Sequence, residues 1–128
     1  MNKLIFCIGL LASQSANAFC DNWTKTDTAL ATTALVASVV DYSQTKQLAK
    51  GFKGPSGYDL VEMNPLMPRN PTTGQVDRYF VAAALASVAL TCTLSPEYRR
   101  YFLGSVATVQ IGVVLHNKRN GLTVRINF

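Results

Sequence analysis

The stretch Ala29–Val40, ALATTALVASVV, decides the fold because twelve consecutive residues carry no charge. It lies within a helix that we predict from about Thr26 to Lys50. Thr24 and Asp27 have the spacing of a capping box at the start of this helix, and Gly51 favours its end. An uncharged helical segment of this length is typical of a helix that is covered by protein or by lipid.

Two more helices are predicted, with uncharged segments at 79–94 and 101–115. The second runs from about Gln75 to Leu94, with Thr72 as its N-cap, and Pro96 prevents it from continuing. The third begins with Ser95 as N-cap and ends at Asn120-Gly121. Four prolines and four glycines between residues 51 and 74 predict a long Pro/Gly-rich loop between the first two helices. The fold class is therefore all-α.

The first 18 residues have the pattern of a secretory signal peptide. Lys3 precedes the apolar run LIFCIGLLA at 4–12, and Ala16-Asn17-Ala18 forms a cleavage site. We predict a signal peptide at 1–18 and a single helical membrane domain at 19–128. The alternative is that the segment stays attached as a first membrane anchor.

Three transmembrane helices agree with the distribution of charge. The uncharged segments lack the polar outer face of a soluble amphipathic helix. With the mature N-terminus periplasmic and the C-terminus cytoplasmic, most basic residues lie on the inner side of the bacterial inner membrane, as the positive-inside rule requires. The predicted inner set is Lys46, Lys50, Lys53, Arg69, Arg78, Lys118, Arg119 and Arg125, and the outer set is Lys25, Arg99 and Arg100. Each apolar segment is shorter than the ~20 residues of a typical span. A soluble periplasmic bundle, or two spans with one interfacial helix, therefore remain as alternatives.

Small residues recur near four-residue spacing in each helix, which allows helix backbones to approach closely in lipid. We expect the helices to pack through these stripes, although alanine also reflects simple helix propensity. The stripes are Ala34/Ala37/Ser38/Asp41, Ala82/Ala86 with Ala83/Ser87, and Gly104/Thr108/Gly112.

The predicted topology brings Cys20 and Cys92 to the outer, oxidising side, where a disulfide between them persists. The alternative is two unrelated thiols, one of them in lipid.

Polar residues are predicted to gather at the inner end of the bundle. Asp41 directly follows the first apolar segment, where a carboxylate is costly unless it is paired or hydrated. One hypothesis is a polar cluster, and the other is that the helix leaves the membrane here, with Lys46 in solvent. No metal-ligand spacing or catalytic motif accompanies these residues, so we predict no metal, cofactor or catalytic residue. The candidate cluster is Asp41, Gln44, Thr45, Glu62, Asn64, Arg78, His116 and Asn117.

The order of these motifs is distinctive. Along the chain come Trp23 and Asp27, Asp41-x-x-Gln44-Thr45, Glu62-x-Asn64-Pro65, Pro71, Val76-Asp77-x-Tyr79-Phe80 and His116-Asn117. The pattern resembles a group of small membrane proteins of bacteriophages, prophages and proteobacteria, which have a signal sequence and a D-x-x-Q-T…E-x-N-P core. Met67-Pro68 stands where that group often has a glycine. The resemblance implies a membrane location and a defining polar cluster, and it implies no activity.

We therefore expect a small integral inner-membrane protein that is not an enzyme and acts through protein–protein contacts in the envelope. Its partners would be the lipid bilayer and either a second copy or another membrane protein. The 12 Lys and Arg are scattered, which argues against nucleic acid. The alternatives are a membrane-embedded enzyme or ion-conducting unit that uses Asp41, Glu62 and His116, and a soluble periplasmic binding bundle.

Overall fold

Three helices, joined by one long and one short connection, make up the part of the chain that the structure describes. A computed structural model describes residues 20–125. Helix α1 spans Lys25–Ala49, α2 spans Thr73–Thr93 and α3 spans Pro96–Arg119. Within residues 20–125 there is no β-strand, only an isolated bridge between Lys53 and Asp59. The all-helical class is confirmed for this range, and the predicted signal peptide at 1–18 lies outside it.

Local capping determines where the first two helices start. Thr24 Oγ1 accepts a hydrogen bond from the Asp27 amide at 3.2 Å, and Asp27 Oδ2 accepts one from the Thr24 amide at 2.9 Å. Thr72 and Gln75 form the same reciprocal pair at the start of α2. Ser95 makes no side-chain capping bond, and the start of α3 is instead favoured by Pro96, whose fixed backbone angle suits the first position of a helix. The helix ends lie within one or two residues of the predicted positions.

The interface between α1 and α3 forms the centre of the bundle, and α2 lies mainly against α1. Ala34 and Ala37 of α1 are buried, together with Leu103 and Ala107 of α3. In α2, Ala83 and Ser87 are half-buried. Since most of these residues are small, the helices approach closely, as the stripes in α1 and α2 predicted.

The prediction that the helices pack through the small residues Gly104, Thr108 and Gly112 of α3 was wrong within a single chain. A Cβ atom added at Gly104 or Gly112 would meet no other atom within 4 Å, and Thr108 is exposed. Helix α3 is turned so that Arg99 shares the inner face with Leu103 and Ala107. Ala82 and Ala86 of α2 are likewise exposed.

The interior of the bundle mixes polar and apolar residues, and much of its outer surface is apolar. Among the described residues, α2 is the one helix long and apolar enough to cross a membrane, and only 11% of its apolar window is buried. The buried polar residues are Asp27, Asp41, Ser43, Gln44, Thr45, Thr91 and Arg99. The exposed aliphatic residues of the helices are Val36, Val81, Leu85, Val88, Leu90, Val109, Ile111, Val113 and Leu115.

A disulfide closes one end of the bundle, which we call the disulfide end. Cys20 and Cys92 are bonded, with their Cα atoms 4.6 Å apart. The bond joins the segment before α1 to the last turn of α2. The opposite end, where α1 and α3 finish and α2 begins, carries the long loop and is called the loop end.

Arg99 connects every segment at the disulfide end. Its side chain is 2% exposed, and Nη1 lies 3.6 Å from Oδ2 of the fully buried Asp27. Arg99, which the sequence analysis counted among the outer charges, is buried because Asp27 and several carbonyl groups replace its water. The guanidinium donates to the carbonyls of Thr91 at 3.0 Å, Asp21 at 2.9 Å, Leu94 at 3.3 Å and Asn22 at 3.5 Å.

Replacing Arg99 by Met should destabilise the protein by about 3–5 kcal/mol, because the buried carboxylate of Asp27 would lose its buried cationic partner and four carbonyls would lose their donor. Arg100→Met is the matched control. Arg100 is half exposed, and its Nε lies 3.8 Å from Asp27 Oδ1, so its loss should cost at most about 1 kcal/mol. Denaturation of the two purified variants, followed by far-UV circular dichroism, measures the difference. Equal losses would show that Arg99 is not the principal contact at this end.

Candidate functional site

The E-x-N-P element folds the loop into a turn that fixes a carboxylate. Glu62 Oε1 accepts a hydrogen bond from the Asn64 amide at 2.8 Å, and Asn64 Oδ1 accepts one from the Leu66 amide at 2.9 Å. The Glu62 amide donates to the Arg69 carbonyl at 2.8 Å. Pro65 disfavours helical backbone at Asn64, so the chain turns here instead of coiling. The turn holds Glu62 near the end of α1.

Asp41 accepts hydrogen bonds from side chains of both central helices, α1 and α3, at the loop end. Its Oδ1 accepts hydrogen bonds from Thr45 Oγ1 and from Asn117 Nδ2, each at 3.3 Å. Thr45 lies one turn further along α1, whereas Asn117 belongs to the last turns of α3. Asp41 is 9% exposed, so this pairing provides the partners that a buried carboxylate needs.

A cavity of about 630 Å³ opens between the loop and the α1–α3 interface. Its walls combine polar side chains with aliphatic and thioether groups. The polar residues that line it are Asp41, Thr45, Glu62, Asn64, Tyr79, Gln110, His116, Asn117 and Asn120, and the apolar ones include Leu48, Leu60, Met63, Met67 and Val113. Six of the eight predicted cluster residues therefore share one cavity.

The surroundings of Asp41 raise its pKa, so that it keeps its proton to a higher pH than an aspartate in water does. The residue follows the apolar segment 29–40 and so lies beyond the predicted span. Burial, and then the nearby Glu62 carboxylate, raise the pKa of Asp41 from 3.8 to about 6. The hydrogen bonds from Thr45 and Asn117 oppose this rise, because they stabilise the ionised form.

Gln44 is near the cavity but has a different role. It is 2% exposed, and its Nε2 donates to the carbonyls of Val114 and Leu122, each at 3.4 Å. Ser43 Oγ lies 3.1 Å from both the amide and the carbonyl of Arg125, and Gln47 donates to the Thr123 carbonyl. Polar side chains of α1 thus hold residues 122–125 against the bundle.

The structure corrects two predicted charges. Arg78 is not in the cluster, since it is exposed and its Nε donates to the Gly74 carbonyl in its own helix at 3.3 Å. One of the two hypotheses for Asp41 left Lys46 in solvent, but its Nζ contacts Asp77 Oδ1 at 2.7 Å, and Tyr42 donates to the same oxygen at 2.7 Å. Asp77, the residue before Arg78, therefore links α2 to the end of α1.

Sequence reasoning did not place Gln110, Asn120 or Tyr79 in the polar cluster. All three line the cavity. Gln110 lies in the uncharged segment of α3, and its Oε1 is buried without a hydrogen-bond partner in the described chain. The seven-residue step from Gln110 to Asn117, two turns along one helix face, was the signal available in the sequence.

The chemistry of the site is that of a partly buried acid pair with neutral polar neighbours. Within residues 20–125, no group of three or more His, Cys, Asp or Glu side chains is arranged to hold a metal ion. His116 is exposed at the rim. The site has the chemistry to hold a proton or an organic cation.

Comparison with known protein-family models, with curated proteins and with solved structures finds no match for this chain. The function is therefore argued from the geometry described above.

Replacing Asp41 by Asn should stabilise the protein above pH 7 and flatten its pH profile. The folded-state pKa is raised, so the contribution of Asp41 is fully present below pH 3.8 and is lost as the pH rises through about 6. The shift corresponds to about 3 kcal/mol, and Asn keeps an oxygen that accepts from Thr45 and Asn117. Melting of both proteins between pH 4 and 8 gives the difference, and parallel profiles would contradict this assignment.

Proposed function

We propose that the chain is a small non-enzymatic integral protein of the bacterial inner membrane, which acts through protein–protein contacts in the envelope. Its mature N-terminus would be periplasmic and its C-terminus cytoplasmic, after cleavage of the signal peptide at 1–18. The observation that carries this proposal is the distribution of polarity in the bundle, where polar residues share the interior with apolar ones and many large aliphatic residues lie on the outer surface.

A membrane explains this polarity better than water does. In a soluble bundle the apolar stripe of each helix faces the core. Here the window of α2 that is most apolar is 11% buried, and Leu85 at its middle is 62% exposed. Burying each such side chain in lipid, instead of leaving it in water, contributes roughly 1.5–3 kcal/mol.

Helix lengths are compatible with three spans. The helices contain 25, 21 and 24 residues, which correspond to about 37, 32 and 36 Å at 1.5 Å per residue. The apolar part of a bilayer is about 30 Å thick.

The two ends of the bundle support the proposed orientation. The Cys20–Cys92 disulfide fits the oxidising periplasm. The loop end carries Lys50, Lys118 and Arg119, in agreement with the positive-inside rule. The resemblance to small phage and proteobacterial membrane proteins supports the same location.

Alkaline carbonate extraction of membranes from cells that express a C-terminally tagged chain tests the location. The protein should remain in the membrane pellet, because its apolar surface is held by lipid and not by ionic contacts. Release into the supernatant, or recovery by osmotic shock, would favour the soluble periplasmic bundle and overturn the proposal.

Substitutions on the exposed face of α3 test whether the protein acts through contacts with other proteins. We expect Gly104→Leu combined with Gly112→Leu to reduce cross-linking between copies in membranes while leaving the fold intact, since both glycines have open space around them. Ala86→Leu, an equally bulky change on the exposed face of α2, is the control and should leave cross-linking unchanged. If wild-type protein cross-links neither to itself nor to a membrane protein, the proposed contacts are absent.

A further inference from the structure

The cavity at the loop end has a one-sided charge. Asp41 and Glu62 both line it, and none of its lining residues is a lysine or an arginine. The nearest basic side chain of α1, Lys46, is paired with Asp77 outside the cavity. The site is therefore acidic, in a chain whose overall net charge is +5.

Hydrogen-bond acceptors in the cavity remain without donors. Both hydrogen bonds to Asp41 end on Oδ1, so within the described chain Oδ2 remains for a ligand. Glu62 Oε1 accepts from the Asn64 amide, and its Oε2 has no donor among the described residues. A bound donor would satisfy such acceptors. The cavity is therefore suited to a ligand that donates hydrogen bonds and carries positive charge.

The rest of the lining is apolar. Leu48, Met67 and Val113 contribute aliphatic and thioether surface beside the carboxylates. The volume of about 630 Å³ lies in the range of small-molecule sites. An apolar body attached to the cationic group would therefore cover surface that water solvates poorly.

We propose that this cavity binds a small organic cation, namely a primary ammonium group attached to an apolar body. The ammonium group donates to the carboxylates of Asp41 and Glu62, and the apolar body packs against the thioether and aliphatic wall. A bare metal ion fits less well, because no group of three or more His, Cys, Asp or Glu ligands exists in the described range. An anionic or zwitterionic phosphate compound would bring its phosphate towards two carboxylates.

This binding site goes beyond the proposed function and does not depend on it. It is tested on the purified full chain in detergent, labelled with ¹³C at the methionine methyl groups. Met63 and Met67 both line the cavity, so their methyl signals report on its contents. Cyclohexylammonium is the probe, and cyclohexanol is the neutral compound of the same shape.

Cyclohexylammonium should shift the Met63 and Met67 signals saturably, whereas cyclohexanol and phosphoethanolamine should not. Glu62→Gln keeps an oxygen that accepts from the Asn64 amide, so the turn is retained, and it should weaken binding about tenfold through loss of one charge-assisted bond. Asp59→Asn removes a loop carboxylate that is 82% exposed and outside the cavity, so it should bind like wild type.

Three outcomes would overturn the proposal. Cyclohexylammonium gives no saturable shift, or cyclohexanol or phosphoethanolamine shifts the signals as strongly, or Glu62→Gln binds as tightly as wild type. Asp41→Asn provides a second variant, and it should also bind about tenfold more weakly because it removes the other charge. Since the assay uses detergent-solubilised protein, failure to bind the amine leaves the result of the membrane extraction unaffected.

Discussion

The buried ion pair between Arg99 and Asp27 is the constraint on which the arrangement of the helices depends. Removing a guanidinium and a carboxylate from water costs several kcal/mol per ion unless both groups are fully paired. The partners of Arg99 come from the segment before α1, from α1 itself and from the end of α2, so the pair is satisfied only when all three are assembled. Trp23, whose ring centre lies 5.5 Å from the guanidinium, belongs to the same contact. The disulfide then keeps Cys20, and with it the carbonyls of Asp21 and Asn22, within reach of Arg99.

The position of Arg99 also fixes the rotation of α3. With Arg99 facing inwards, Leu103, Ala107, Gln110 and Asn117 follow on the same face, because they recur every three or four residues. This face brings Ala107 against the small residues of α1, and it brings Asn117 to Asp41 at the other end. The same rotation turns Gly104 and Gly112 outwards. One charged contact at the disulfide end therefore determines which polar groups line the cavity at the loop end.

The sequence predicted what local interactions control and missed what depends on rotation and pairing. Helix ends followed from Thr24 with Asp27 and from Thr72 with Gln75, since a capping box involves residues three apart. The gathering of Asp41, Thr45, Glu62 and Asn117 followed from their common depth along antiparallel helices. The burial of Arg99 and the contact between Lys46 and Asp77 were not predicted, because a charge count treats every charged residue as hydrated and the partners of both lie in other segments. Asp27 already had a role as a capping residue, so its second role as the partner of Arg99 gave no separate signal.

The two ends of the bundle differ in the charges that face their buried carboxylates. At the disulfide end, Asp27 lies beside the guanidinium groups of Arg99 and Arg100, and Arg99 has four carbonyl partners as well, although Asp27 Oδ1 has no hydrogen-bond donor. At the loop end, Asp41 accepts two hydrogen bonds from neutral groups at 3.3 Å, Glu62 adds a second negative charge, and no lysine or arginine lines the cavity. A purely structural carboxylate pair would be expected to have a cation beside it, because an uncompensated buried charge lowers stability. Carboxylates that line a cavity without a cation are instead the condition in which a positively charged ligand gains most from binding. The disulfide end is therefore best understood as the part that holds the bundle together, and the loop end as the part that is available for function.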